Sequence, residues 1–329
     1  MKYWKLLYLL IGFALLGLIL QQTNLQEVWR RVTHVGWWGM SVVLGIYFLS
    51  YLSDVCAWQL TFETIPLNLR WLYRLFLVRL VGEAFNDITP LASMGGEPLK
   101  AILLKTHYRI GYRESGTSLI LAKTLDLISL VVFLYIGFLL LLTSDKLPAA
   151  FKTGTGLGLV AFSICIGLFF LVQRFKLMSL VSRLLDRSGL GNRLSGLLGL
   201  LRDTDEQLVR FYSRRPRHLR KAFAVAFINW PLGVLEVYFL MAFLGNPIAI
   251  ADAWIIEAVV QLVRAGTFFI PVGIGTQEGI FVLVCSAIAG DPSLGLAMAL
   301  ARRFREILWM LWGLAIWRLF LWKPTSANK

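Results

Sequence analysis

The chain has 329 residues, 57% of them hydrophobic and only 16% charged, with a mean hydropathy of +0.68. A water-soluble domain of this length needs more charge to cover its surface, so the composition points to an integral membrane protein. The formal charge of +14 does not indicate a nucleic-acid partner, because most basic residues lie beside apolar spans, as they do at cytoplasmic membrane edges.

Apolar runs long enough to cross a bilayer fall at about 4–21, 36–60, 116–142, 155–172, 222–244 and 294–322. The first carries Lys2 and Lys5 ahead of Leu6–Leu20 and has no small-x-small cleavage site, so it is read as a retained span rather than a signal peptide. Between the second and third runs lies Pro90-Leu-Ala-Ser-Met-Gly95-Gly96-Glu97. Between the fifth and sixth lies Pro271-Val-Gly273-Ile-Gly275-Thr-Gln-Glu278. Proline removes a backbone donor and glycine permits non-helical torsions, so both stretches are expected to break a membrane helix. Irregular backbone at membrane depth survives only under protein or beside a water-filled cavity. A matched pair of such interruptions marks a transporter's binding site. Segment 173–221 holds twelve Lys and Arg among amphipathic stretches such as Leu177, Leu180, Val181, Leu184 and Leu185. It reads as a pair of interfacial helices on the anionic cytoplasmic leaflet, with a gate or lipid collector as the alternative.

Arginine and lysine in 61–79, 97–114 and 173–221 place those segments and both termini in the cytoplasm, and 21–34, 143–152, 245–252 and 291–293 outside. The segment around Pro90 then enters and returns from the cytoplasm, and that around Pro271 from the opposite side. Further positions repeat. Asp54 precedes Pro90 by nearly the distance at which Glu236 precedes Pro271, and Lys123/Asp126 follow the first proline much as Arg303/Glu306 follow the second. The expected fold is an all-α polytopic membrane protein of about six transmembrane helices plus two opposed re-entrant hairpins. It forms one integral membrane domain, 1–329, with an inverted-topology repeat over 35–142 and 222–322.

Ionisable groups within spans cost roughly 2.5–3.5 kcal/mol each on insertion scales. This chain holds Asp54, Glu83, Asp87, Glu97, Lys123, Asp126, Glu236, Glu257, Arg264, Glu278, Arg302, Arg303, Arg305 and Glu306 there. So many charges suit a hydrated interior that accepts a charged head group. Local pairs (Lys123–Asp126, and Arg302–Glu306 at i,i+4) that only stiffen helices are the structural alternative. Arginine's fork matches phosphate oxygens, so an anionic head group is the natural ligand of Arg302, Arg303 and Arg305. Glu97 and Glu278, at the restart of each helix, either complement its dipole or hold a cationic group or coupling proton. Cys56, Cys165 and Cys285 are isolated, His34, His107 and His218 are scattered, and no Walker loop, HExxH or GxSxG occurs. No metal or cofactor is expected.

Gly82-Glu83-Ala-Phe-Asn86, Thr89-Pro90, Gly95-Gly96-Glu97 and Pro271–Gly279 resemble the lysylphosphatidylglycerol synthase transmembrane, or flippase-like, family. Gly82–Leu104 and Arg302–Leu308 look most like its hopanoid-biosynthesis-associated branch. Val272 stands where that resemblance would place another glycine. The resemblance implies movement of a polar or anionic lipid between leaflets of a bacterial inner membrane, with Glu83, Asn86, Glu97, Lys123, Asp126, Arg264, Glu278, Arg302, Arg303, Arg305 and Glu306 along the path. Phospholipid, aminoacylated lipid and hopanoid are the lipids it brings into view, and homo-oligomerisation stays open. The last span ends near Trp322, with only Lys323–Lys329 beyond it, so aminoacyl-transfer activity is not expected. A membrane enzyme using Glu97 or Glu278 as base on a lipid carrier is one alternative. A non-catalytic partner of lipid-biosynthetic enzymes is the other.

Overall fold

A computed structural model describes residues 17, 20–21, 23–88, 95–174, 216–267, 270 and 273–322, and among these the chain is helical without a strand. The helices are α1 (Leu25–Gln59), α2 (Leu69–Ile88), α3 (Gly96–Tyr108), α4 (Tyr112–Thr143), α5 (Ala149–Arg174), α6 (Pro216–Phe243), α7 (Ile250–Gly266), α8 (Thr276–Ala289) and α9 (Pro292–Trp322). By length and composition, α1, α4, Ala149–Leu168 of α5 and Arg217–Phe243 of α6 can each cross a bilayer. α9 is as long, but the basic run 302–305 interrupts its apolar sequence. Most of the N-terminal span, Pro90, Pro271 with Val272, and most of 173–221 lie outside the described residues.

Asn24 caps α1, its side chain accepting from the N–H groups of Gln26 and Glu27 at 3.1 and 3.3 Å. The helix bends at Gly36, whose φ of 62° and ψ of 178° suit glycine and no other residue. The bend falls where the second apolar run was expected to start. Ahead of it a short segment buries Val28 and Val35, while Trp29, Trp37 and Trp38 stand 70, 86 and 78% exposed. Tryptophans in that position suit a membrane–water interface.

Residues 37–59 of α1 rise about 35 Å at 1.5 Å per residue and so separate two ends of the bundle. At one end Arg31 reaches the Asp291 carboxylate (2.6 Å) and the Leu244 carbonyl (3.4 Å), and Lys146 pairs with Asp252 (2.6 Å). Connections 21–34, 143–152, 245–252 and 291–293 therefore meet there. At the other end Thr64 bonds Glu114 (2.6 Å) and Arg74 stacks on Trp71 and Tyr108. The α2–α3 hairpin accordingly starts and returns at this second end, and the α7–α8 hairpin at the first.

Packing repeats in both halves. Contacts α1–α2, α2–α3, α3–α4 and α1–α4 have counterparts α6–α7, α7–α8, α8–α9 and α6–α9. Across the halves α2–α9 matches α7–α4 and α1–α9 matches α6–α4, while α1 lies along α6. α5 lies outside this scheme, against α4 and α7, with Leu157, Val160, Ile164 and Leu168 exposed as lipid-facing residues would be. Small residues let backbones approach: side chains at Gly96, Gly295 or Gly313 would collide with the backbone of Gly82, Phe281 or Leu80.

Candidate functional site

Charged side chains from four helices meet in the second half of the bundle. The chain turns out of α7 through Ile270 and then Gly273 and Gly275, both at positive φ (60° and 80°), as expected of hairpin-breaking glycines. The freed N–H of Gly275 donates to Glu278 Oε2 (2.8 Å), so Glu278 caps the restarted helix α8. Its other oxygen accepts two bonds from Arg303 Nε and Nη2, at 2.9 and 2.8 Å. Arg303 Nη1 also donates to Glu306 (3.0 Å), which accepts a long bond from Gln277 (3.3 Å). Successive positions on a helix point about 100° apart, so Arg302 and Arg305 find different acids. Arg302 donates to Glu257 of α7 (2.6 Å) and lies 3.4 Å from Glu236 of α6, which Arg305 also engages. Gln261 completes the shell of Glu257 at 2.7 Å. The expected local pair Arg302–Glu306 is replaced by these long-range partners, because Arg302 faces α6 and α7 while Glu306 faces α8. Arg264 is exposed, pairs with no carboxylate among the described residues, and acts on Glu306 electrostatically.

The first half carries a looser version. Arg79 of α2 pairs with Asp54 of α1 at 2.5 Å and lies 3.9 Å from Glu83. Lys100 of α3 bridges Glu83 and Glu97, 2.8 Å from each. Asn86 donates to Glu83 (3.2 Å), and its carbonyl accepts the Gly96 N–H (2.7 Å), which ties α2 to the first residue of α3. Lys123 and Asp126 form the expected i,i+3 pair on α4 at 3.4 Å. Gly95 and Gly96 do not break the chain by unusual torsion. Gly95 is right-handed helical, and Gly96 opens α3 where it has no room for a side chain. Gly82 likewise leaves space for the Lys100 stem.

The sequence pattern singles out most of these acids but places Arg79 and Lys100 in segments at the membrane edge. The spacings Arg79–Glu83 (i,i+4) and Glu97–Lys100 (i,i+3) carried the signal that they belong inside. In the sequence Glu236 and Glu257 stand only as charges within spans, since their partner Arg302 lies far along the chain.

The two clusters differ in access. In the second cluster the side chains of Glu236, Glu257, Arg302 and Arg305 are no more than 6% exposed and those of Arg303 and Glu306 16 and 18%; in the first, Lys100 is 3% and Arg79 and Asp54 19% exposed, but Glu83, Glu97 and Lys123 reach 35, 34 and 65%. Where an open hydrated chamber was expected, the second cluster is packed acid against base. Between the clusters runs an aromatic strip of Tyr47 and Tyr51 (α1), Phe76 (α2), and Trp309 and Trp312 (α9). Neighbouring rings lie 4.9–6.5 Å apart. The Arg305 guanidinium lies 3.8 Å from the Tyr47 ring and that of Arg79 lies 5.6 Å from Tyr51. Here Tyr51 Oη, Trp309 Nε1, Arg79 Nε and Arg305 Nε are buried without an acceptor among the described residues. Each such donor costs about 1–3 kcal/mol.

The sequence pattern of the lysylphosphatidylglycerol synthase TM region matches residues 5–313. A UPF0104 membrane protein of Pyrococcus horikoshii is 24% identical over 91% of this chain and 92% of its own length. Another, from Methanothermobacter thermautotrophicus, is 26% identical over 94% of this chain and 93% of its own. No solved structure matches.

Proposed function

Since the chain belongs to the lysylphosphatidylglycerol synthase transmembrane family, we propose that it is a lipid translocase that moves a polar or anionic head group between leaflets. One observation carries the reading: two opposed hairpins each bring a charged cluster into an apolar bundle, one cluster accessible and the other closed. Head groups engage the ionic groups in turn while tails stay in lipid, and rocking one half against the other exchanges access. Charge asymmetry supports cytoplasmic termini and an α2–α3 hairpin that opens to the cytoplasm. The twelve Lys and Arg of segment 173–221, most of which lies outside the described residues, suit the anionic cytoplasmic leaflet by composition. The protein works as a transporter and not as an enzyme, with membrane lipids, hopanoids included, as its partners.

Proteoliposomes with labelled phosphatidylglycerol in one leaflet test this. Purified protein is expected to speed its appearance in the other leaflet, and Arg303→Gln to slow it at least about tenfold by removing a bidentate partner. No acceleration across anionic, zwitterionic and aminoacylated lipids overturns the proposal.

A further inference from the structure

We propose that the aromatic strip of α1, α2 and α9 is a subsite for the phosphate of a phosphodiester, the stage at which a head group passes between the two charged clusters. The inference rests on the lipid-translocating reading and adds to it a place and a ligand chemistry.

Among the described residues, the unpaired buried atoms on the strip's rings and on the two guanidiniums over them are donors; the nearest unpaired acceptor is Glu236 Oε1, on the carboxylate that Arg305 engages on its far side. Tyr51 is 6% exposed, and among the described residues its hydroxyl meets no acceptor, nor do Trp309 Nε1, Arg79 Nε and Arg305 Nε. Tyr51 and Trp309 rings lie 6.2 Å apart, with a guanidinium over each of the two tyrosines. A buried set of donors without acceptors selects a ligand rich in oxygen lone pairs. The matching junction of α4, α6 and α7 serves as an internal control. There Trp230 donates to Ser129 Oγ at 2.8 Å and Trp254 to the Phe133 carbonyl at 3.3 Å, so buried indoles in this fold ordinarily have acceptors. Trp58 finds one too, in Ser118 at 3.3 Å.

Charge narrows the ligand. Arg79 and Arg305 are neutralised by Asp54 and Glu236, with Glu83 and Glu306 each 3.9 Å away, and the remaining donors are neutral. Such a site suits the single charge of a phosphodiester better than a dianionic monoester. Phe48 and Trp312, 39 and 40% exposed, form the outer edge of the strip, on the side where acyl chains would lie.

The full chain in maltoside micelles, which hold no phosphate, is titrated with short-chain phosphatidylglycerol, with diacylglycerol as the phosphate-free control. Tyr51→Phe combined with Trp309→Phe keeps the rings and deletes two donors. Affinity for phosphatidylglycerol is expected to fall at least about a hundredfold, the loss of two hydrogen bonds to an anionic phosphate, with diacylglycerol unaffected and thermal stability kept. Competition by inorganic phosphate supports a phosphate site filled from either source; competition by glycerophosphoglycerol alone supports one filled from lipid. Unchanged affinity in the double variant, with raised thermal stability, overturns the subsite, because the donors then only cost stability. Leaflet movement measured alongside separates the two proposals. Wild-type protein that binds phosphate but moves no lipid removes the translocase and keeps the subsite. A double variant that binds and moves lipid like wild type does the reverse.

Discussion

At the residue scale, the closed cluster behaves as one electrostatic unit. Arg302 is 3% exposed and depends on Glu257 and Glu236. Glu257→Ala strands that guanidinium in apolar surroundings and is expected to cost about 3–5 kcal/mol. Glu114, which bonds Thr64 at the bundle's end, should tolerate alanine within about 1 kcal/mol. Denaturant unfolding in detergent compares the two, and equal losses contradict a buried network. Sequence spacing revealed Arg303–Glu306 because its partners share one helix face. It did not reveal Arg302–Glu257, whose partners come together only when α7 and α9 converge across α8. The acids of a buried site are visible one by one in a sequence; their partners across helices are not.

At the scale of elements, the hairpins depend on backbone proximity as much as on broken torsion. Gly273 and Gly275 turn the chain at positive φ, which their place after a proline implied. Gly95 and Gly96 carried the same pattern in sequence, yet there glycine serves a helix crossing. A methyl at Gly96 meets the Gly82 carbonyl and the Asn86 side chain. Gly96→Ala is expected to lose about 1–3 kcal/mol through overpacking, while Gly154→Ala in α5, with open space around it, stays near wild type. Thermal unfolding of both variants checks this, and a neutral Gly96→Ala would refute the close crossing. Glycine pairs look alike in sequence whether they bend a chain or admit a neighbour, so only the packing separates the two.

At the scale of the molecule, the halves share a plan and differ in state. The repeat was legible because acids and bases recur at matching offsets from each proline. The difference in burial was not, since both halves carry similar charges and only packing decides which are covered. Arg31–Asp291 and Lys146–Asp252 fasten the end onto which the second hairpin opens. With native cysteines replaced by serine, a hydrophilic thiol reagent is expected to label Lys123→Cys quickly and Glu278→Cys at least about tenfold more slowly. Asp252→Asn with Asp291→Asn should raise the second rate by releasing those ion pairs. Equal labelling at both positions contradicts the closed state.

The bend at Gly36 bears on how the whole body floats. Its neighbouring indole rings fix one water line, and the length of α1 beyond the bend fixes the distance to the other. Moored in this way, the protein answers a thinner or thicker film by leaning rather than by bobbing. Under the translocase proposal, such a lean shifts the depth of the two hairpin tips in opposite senses, and movement between leaflets is then expected to vary with film thickness.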